Sequence, residues 1–129
     1  MVLEGEGEAE ALLAEADDDL AAAEAALQGQ FSLPGDAAFR GQQAAAKALQ
    51  AYLASRDTAF AGIQDLSVLL ALCQQLDEEF GLLETAATTL QPYLARYLRP
   101  GRPLEPAQRE AEIALELAAG VVEFVRVRL

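Results

Sequence analysis

The chain has no histidine and no tryptophan, and it carries a single cysteine, Cys73. Without imidazole there is no His-based general acid or base, no Ser-His-Asp triad and no His-ligated metal site. One thiol excludes an internal disulfide and the paired-cysteine zinc motifs. Cations are scarce: nine Lys and Arg stand against 21 Asp and Glu, a net charge of −12 over 129 residues. A nonspecific grip on nucleic acid or an anionic membrane needs clustered cations, so neither is expected as the main activity. No apolar run approaches the roughly 20 residues of a membrane-spanning helix. The opening MVLEGEGEAE is acidic, without the basic-then-apolar order of a secretory signal. A cytoplasmic protein with a reduced thiol is the expectation.

What is present is alanine and leucine. There are 28 Ala and 22 Leu, against six Val and two Ile. Strands favour β-branched residues and helices favour Ala and Leu, so the composition predicts an all-α fold. Its length suits one domain. Residues 1–7, with alternating Glu and Gly, read as a frayed acidic terminus, and residues 8–128 as the helical domain.

Apolar spacing predicts five helices. The first covers 8–28, with Leu12, Leu13, Ala16, Leu20, Ala23 and Leu27 on one stripe and Gly29 placed as a C-terminal cap. Its Asp17-Asp18-Asp19 run reads as a solvated face. Adjacent helical residues point in different directions, which disfavours a cation site there. The second covers 36–55, capped by Asp36, with Phe39, Gln42 or Gln43, Ala46, Leu49 and Leu53 in register. A glutamine near a core hydrogen-bonds a neighbouring helix, because an unpaired buried amide costs about 1–3 kcal/mol. A connector, 56–62, leads to a third helix over 64–76, with Leu66, Leu69, Leu70, Cys73 and Leu76 inward. Cys73 is thus read as a small core residue. Asp77 caps a fourth helix carrying Phe80, Leu83, Ala87, Leu90 and Leu94, and Pro92 predicts a break near Gln91. A loop follows over residues 99–103.

The last helix, 106–126, is apolar on two sides. Ala111, Ala114, Ala118, Val122 and Val125 form one stripe; Ile113, Leu117, Val121 and Phe124 form another. A bundle helix normally needs one stripe. The second implies either central burial or an interface with a second chain, and both readings stand. Short connections predict antiparallel neighbours.

The segment from Phe39 to Leu53, with Gln42-Gln43-Ala44 followed by Lys47-Ala48-Leu49, resembles the central helix of HEPN domains. Ile63 to Leu70, containing Asp65-Leu66, is similar to the helix that follows it in that family, and Arg96-Tyr97 to its Arg-Tyr-Pro signature. The sequence departs from the pattern at Ala46 (Glu in the family), Gln50 (Lys), Gln64 (His) and Leu98, with proline delayed to Pro100. The resemblance implies an up-and-down bundle of about five helices around a four-helix core, usually a homodimer. It also implies a frequent partner, a minimal nucleotidyltransferase, often in a toxin–antitoxin pair. Nucleotide binding is a proposed family property.

Several HEPN branches are metal-independent ribonucleases that use Arg, four to six residues, then His. Arg96 is the best candidate for that arginine, but the positions that follow hold Gly101, Arg102 and Pro103. The leading reading is therefore a non-catalytic binding module that needs no cofactor or metal. Its dimer or partner interface would use Ile113, Leu117, Val121 and Phe124. The alternatives are a HEPN-type ribonuclease toxin and a nucleotide-binding domain. For a nucleotide, Gln42, Gln43, Lys47, Arg96 and Tyr97 offer amides for base edges, cations for phosphate and a ring for stacking.

Overall fold

The computed structural model describes residues 4–98 and 106–129, without the side chains of Glu4, Tyr97 and Leu98. Its elements are α1 (Glu4–Gln28), α2 (Pro34–Ser55), α3 (Leu66–Leu76), a 3-10 helix (Glu78–Leu83), α4 (Glu84–Leu90), α5 (Pro92–Leu98) and α6 (Gln108–Arg126). Among the described residues there is no strand, and the chain forms the expected all-α bundle. The 3-10 helix, α4 and α5 together occupy the place of the predicted fourth helix. The loop expected over 99–103 lies outside the described residues.

Local chemistry explains the boundaries. Helix α1 is already formed at Glu4, the first described residue, ahead of the predicted start at residue 8. Gly5 sits where α1 meets the end of α2: a Cβ there would lie 2.5 Å from the Ala54 carbonyl oxygen and 2.8 Å from Asp57 Oδ1. Gly29 follows α1, but its φ is not in the left-handed region. The Leu33 N–H instead reaches back to the Ala26 carbonyl at 2.9 Å. Helix α2 starts at Pro34, not Asp36. Proline suits the first turn because its missing N–H would find no helical partner there. Asp36 lies in that turn, where a carboxylate complements the helix dipole.

Asp65 caps α3, its Oδ1 accepting from the N–H groups of Ser67 at 2.9 Å and Val68 at 3.3 Å. Asp77 caps the 3-10 helix in the same way, accepting from the Glu79 N–H at 3.0 Å. The predicted break falls at Gln91, with Pro92 opening α5. Leu76 lies exposed at the end of α3 rather than inward.

Helix α2 is the centre of the bundle and packs against each of the other α-helices. It is buried around most of its circumference, chiefly through Ala37, Ala38, Ala44, Ala45, Ala46, Ala48, Ala51 and Ala54. Small side chains let neighbours approach from every direction. Helix α2 is thus the most central helix, and the core also takes up most of the second apolar stripe of α6. Its alanine and valine stripe is buried against the bundle. On the second stripe Val121 is also buried, Leu117 and Phe124 are half-buried against the core, and Ile113 is 41% exposed. Phe124 meets Phe80 edge-on at 5.0 Å, and Phe80 lies 4.5 Å from Tyr52.

Between α2 and α3 the chain does not turn back tightly. The connector 56–65 runs back along α2, so that α3 begins near Gln42 and passes Leu49, where the Cys73 thiol lies 3.7 Å from the carbonyl oxygen. Glutamines pin this path. Gln50 donates to the Ile63 carbonyl at 2.9 Å, Gln42 to the Gln64 carbonyl at 3.4 Å, and the Gln91 side-chain oxygen accepts from the Leu66 N–H at 2.7 Å. Gly62 supplies the left-handed conformation the connector requires, at φ +80°. No helix among the described residues is long and apolar enough to cross a membrane.

Candidate functional site

The residues singled out on α2 sit at its contacts with α1 and the connector. Gln42 is fully buried, and its side-chain oxygen accepts from the Gln43 amide at 2.7 Å. Lys47 Nζ lies 2.7 Å from Oδ2 of Asp19 on α1, whose other oxygen is 3.6 Å from Arg40. Asp19 is only 7% exposed. Burying a carboxylate is expensive unless cations and hydrogen bonds compensate it, so these two bases hold a charge between α1 and α2.

The aspartate run is therefore not a simple solvated face. Asp19 faces α2, and Asp17 faces α6, 2.6 Å from Arg126. A hundred degrees of rotation per residue sends consecutive acids toward different partners. This divergence also separates them as potential metal ligands.

Arg96 lies on α5. Its guanidinium stands 5.4 Å from the centre of the Tyr93 ring and 3.9 Å from Glu110 of α6. Tyr93 is buried, and its hydroxyl hydrogen-bonds the Glu110 carboxylate. Burial raises its pKa first, and the neighbouring negative charge of Glu110 raises it further. Arg96 thus closes a Tyr-Glu-Arg contact between α5 and α6. The structure joins Gln42 to Gln43, ties Lys47 to α1 and ties Arg96 to α6. The Tyr97 side chain lies outside the described residues.

Cys73 is buried, and desolvation pushes its thiol up to about 12. A thiol so far from ionisation at neutral pH is a poor nucleophile, in agreement with its core reading. The interface candidates of α6 divide: Ile113 offers outer surface, Leu117 and Phe124 are half-buried against the core, and Val121 serves the interior. Arg128 covers the Phe124 ring at 3.5 Å and bonds Glu79 at 2.7 Å.

Sequence reasoning gave no contact role to Arg40 or Glu110, read Asp19 as part of a solvated run, and noted Gln50 and Gln91 only as a family departure and a helix break. For the glutamines a signal existed: Gln42 and Gln50 lie eight positions apart, on one helical face. Asp19 carried no such signal, since its partners are more than 20 residues away.

The chain is similar to the crystal structure of TT1696 from Thermus thermophilus, with 29% sequence identity and a TM-score of 0.75. That similarity covers 94% of this chain and 98% of the other. No curated protein matches. The HEPN domain family matches over residues 9–128, which is nearly the whole described bundle. That match takes in α2 with its Gln-Gln-Ala run, α3 and the broken fourth helix, and the chain belongs to the HEPN domain family.

Proposed function

We propose that this chain is a non-catalytic HEPN binding module. It acts in the cytoplasm as a homodimer and pairs with a small nucleotidyltransferase, in a toxin–antitoxin-type or nucleotide-linked two-component system. The observation that carries this reading is the setting of Arg96 in a chain without histidine. Cleaving RNA through its 2′-hydroxyl needs one group to take the proton and another to protonate the leaving oxygen. The family's ribonuclease branches use the histidine after the arginine, and here no imidazole exists to fill that role. Arg96 is engaged with Tyr93 and Glu110, and the net charge of −12 repels a polyanion.

Ile113, with the half-buried Leu117 one turn on, supplies the outer apolar surface for a second copy, on the flank of α6 that faces away from α1. Co-expression with a minimal nucleotidyltransferase of the same genome, followed by size-exclusion chromatography with light scattering, tests the reading. The expected result is a stable complex containing a dimer of this chain. A monodisperse monomer that ignores the nucleotidyltransferase overturns it.

Nucleotide binding is the lesser alternative, because Gln42, Gln43, Lys47 and Arg96 already have partners within the fold. Calorimetry with ATP and GTP separates the two. Saturable heat that vanishes in both Lys47→Ala and Arg96→Ala would restore the nucleotide reading.

A further inference from the structure

Helices α1 and α6 leave between them an open groove of about 530 Å³. Its floor includes Leu20 and Leu27 of α1 and Leu115 of α6; its rim carries Glu24, Glu112 and Glu116. The three leucines are only half-buried, so the bundle does not finish covering them. The turn between α1 and α2 extends this apolar surface. There Phe31 is 80% exposed, and the neighbouring Ser32 hydroxyl donates to Gln108, a residue of the same groove, at 2.5 Å.

The rim chooses the occupant. Arg109 lies 3.4 Å from Glu112 and 3.8 Å from Glu116, yet the α1 bank has no base: residues 1–30 hold nine acids and no cation. A twofold contact between two such grooves would set one acidic rim against the other. A phosphate-bearing ligand would meet the same repulsion. An amphipathic helix fits: apolar side chains at helical spacing fill the floor, and flanking Lys or Arg meet the carboxylates. Ile113 and Leu117 lie on the other flank of α6, so a homodimer there leaves the groove open.

We infer that the α1–α6 groove is the docking site for a basic amphipathic helix of a partner protein. This deepens the proposed docking role and rests on it.

The probe is a fluorescein-labelled model helix with leucines at helical spacing between lysine flanks, beside a twin with glutamate for lysine. Fluorescence anisotropy with the full chain is expected to show saturable binding of the lysine helix alone. The double variant Glu24→Lys/Glu116→Lys, whose positions are exposed and whose fold is checked by circular dichroism, weakens it at least about tenfold. Ile113→Glu leaves it unchanged, and amide shifts centre on Leu20, Leu27 and Leu115. No binding, or equal weakening when Glu15 and Asp18 are reversed instead, overturns the assignment. The double variant also separates the two readings. If it still forms the nucleotidyltransferase complex, the groove assignment fails and the docking role stands. If the wild type forms no such complex but seats the lysine helix, the partner reading fails and the groove stands.

Discussion

Phe80 and Ala48 are both fully buried, but they hold different parts of the molecule in opposite ways. Around Phe80 the space between α2, the 3-10 helix and the end of α6 is filled by large rings, Tyr52 and Phe124. Around Ala48, α2 is clad in alanine and meets α1 and α6 at close range, with the charge of Asp19 clamped at the seam. The first region depends on volume that must be present. The second depends on volume that must be absent. A substitution that harms one should spare the other.

The largest expected effect lies in the ring cluster. Phe80→Ala removes the side chain that touches both Tyr52 and Phe124, and should cost about 3–5 kcal/mol in urea unfolding. A cost below about 1 kcal/mol would mean the cluster collapses freely and the contrast is empty.

Next comes the clamp on the alanine side. Lys47→Ala leaves the buried Asp19 facing Arg40 alone, 3.6 Å away. Because Lys47 is itself only partly buried, the loss should be about 1–3 kcal/mol, below that of a fully buried pair. An unchanged midpoint would show that solvent reaches Asp19 and that packing alone holds the seam.

Two glycines of α1 sharpen the point about absent volume. A Cβ at Gly7 would meet nothing within 4 Å, so Gly7→Ala should stabilise by up to about 1 kcal/mol through helix propensity. Gly5→Ala carries the same propensity gain but meets the Ala54 carbonyl, and should instead destabilise by about 1 kcal/mol. Equal shifts in the two thermal melts would remove the close approach from the account.

The smallest effect is a pH dependence at the start of α3. The hydrogen bond from the Ser67 hydroxyl, helped by two backbone N–H groups, holds the Asp65 carboxyl below its ordinary range. A depressed carboxyl stabilises fully above the unfolded value of about 3.9, and loses that contribution as pH falls through the folded value. Asp65→Asn keeps a cap without the charge, so it should cost under about 1 kcal/mol at pH 7. That difference should shrink toward zero below about pH 4. A constant difference down to acid would assign the cap to geometry alone.

The sequence made only Phe80 of the ring cluster legible: Tyr52 fell on no predicted stripe and Phe124 was read as interface, while the alanine region stayed mostly hidden. Phe80, Leu83, Ala87, Leu90 and Leu94 announced a buried stripe, and all but the half-buried Leu94 are buried. Pro92 marked the break because proline removes a helical donor whatever surrounds it. Alanine carries little hydropathic contrast, so the all-round burial of α2 was invisible, and the valines and phenylalanine of α6 drew attention instead. Asp19 shows the same limit for the site: three consecutive acids look alike in a sequence, and only tertiary packing decides which one meets Lys47. Gln42 was legible as a helix-linking amide, but its acceptor, the Gln64 carbonyl, belongs to a connector whose path periodicity cannot give.

Catalytic silence is the central claim, and RNA cleavage by the purified chain tests it most directly. Incubated with a labelled single-stranded RNA, the wild type and Arg96→Ala should leave the substrate equally intact. Turnover by the wild type that disappears in Arg96→Ala would contradict the account.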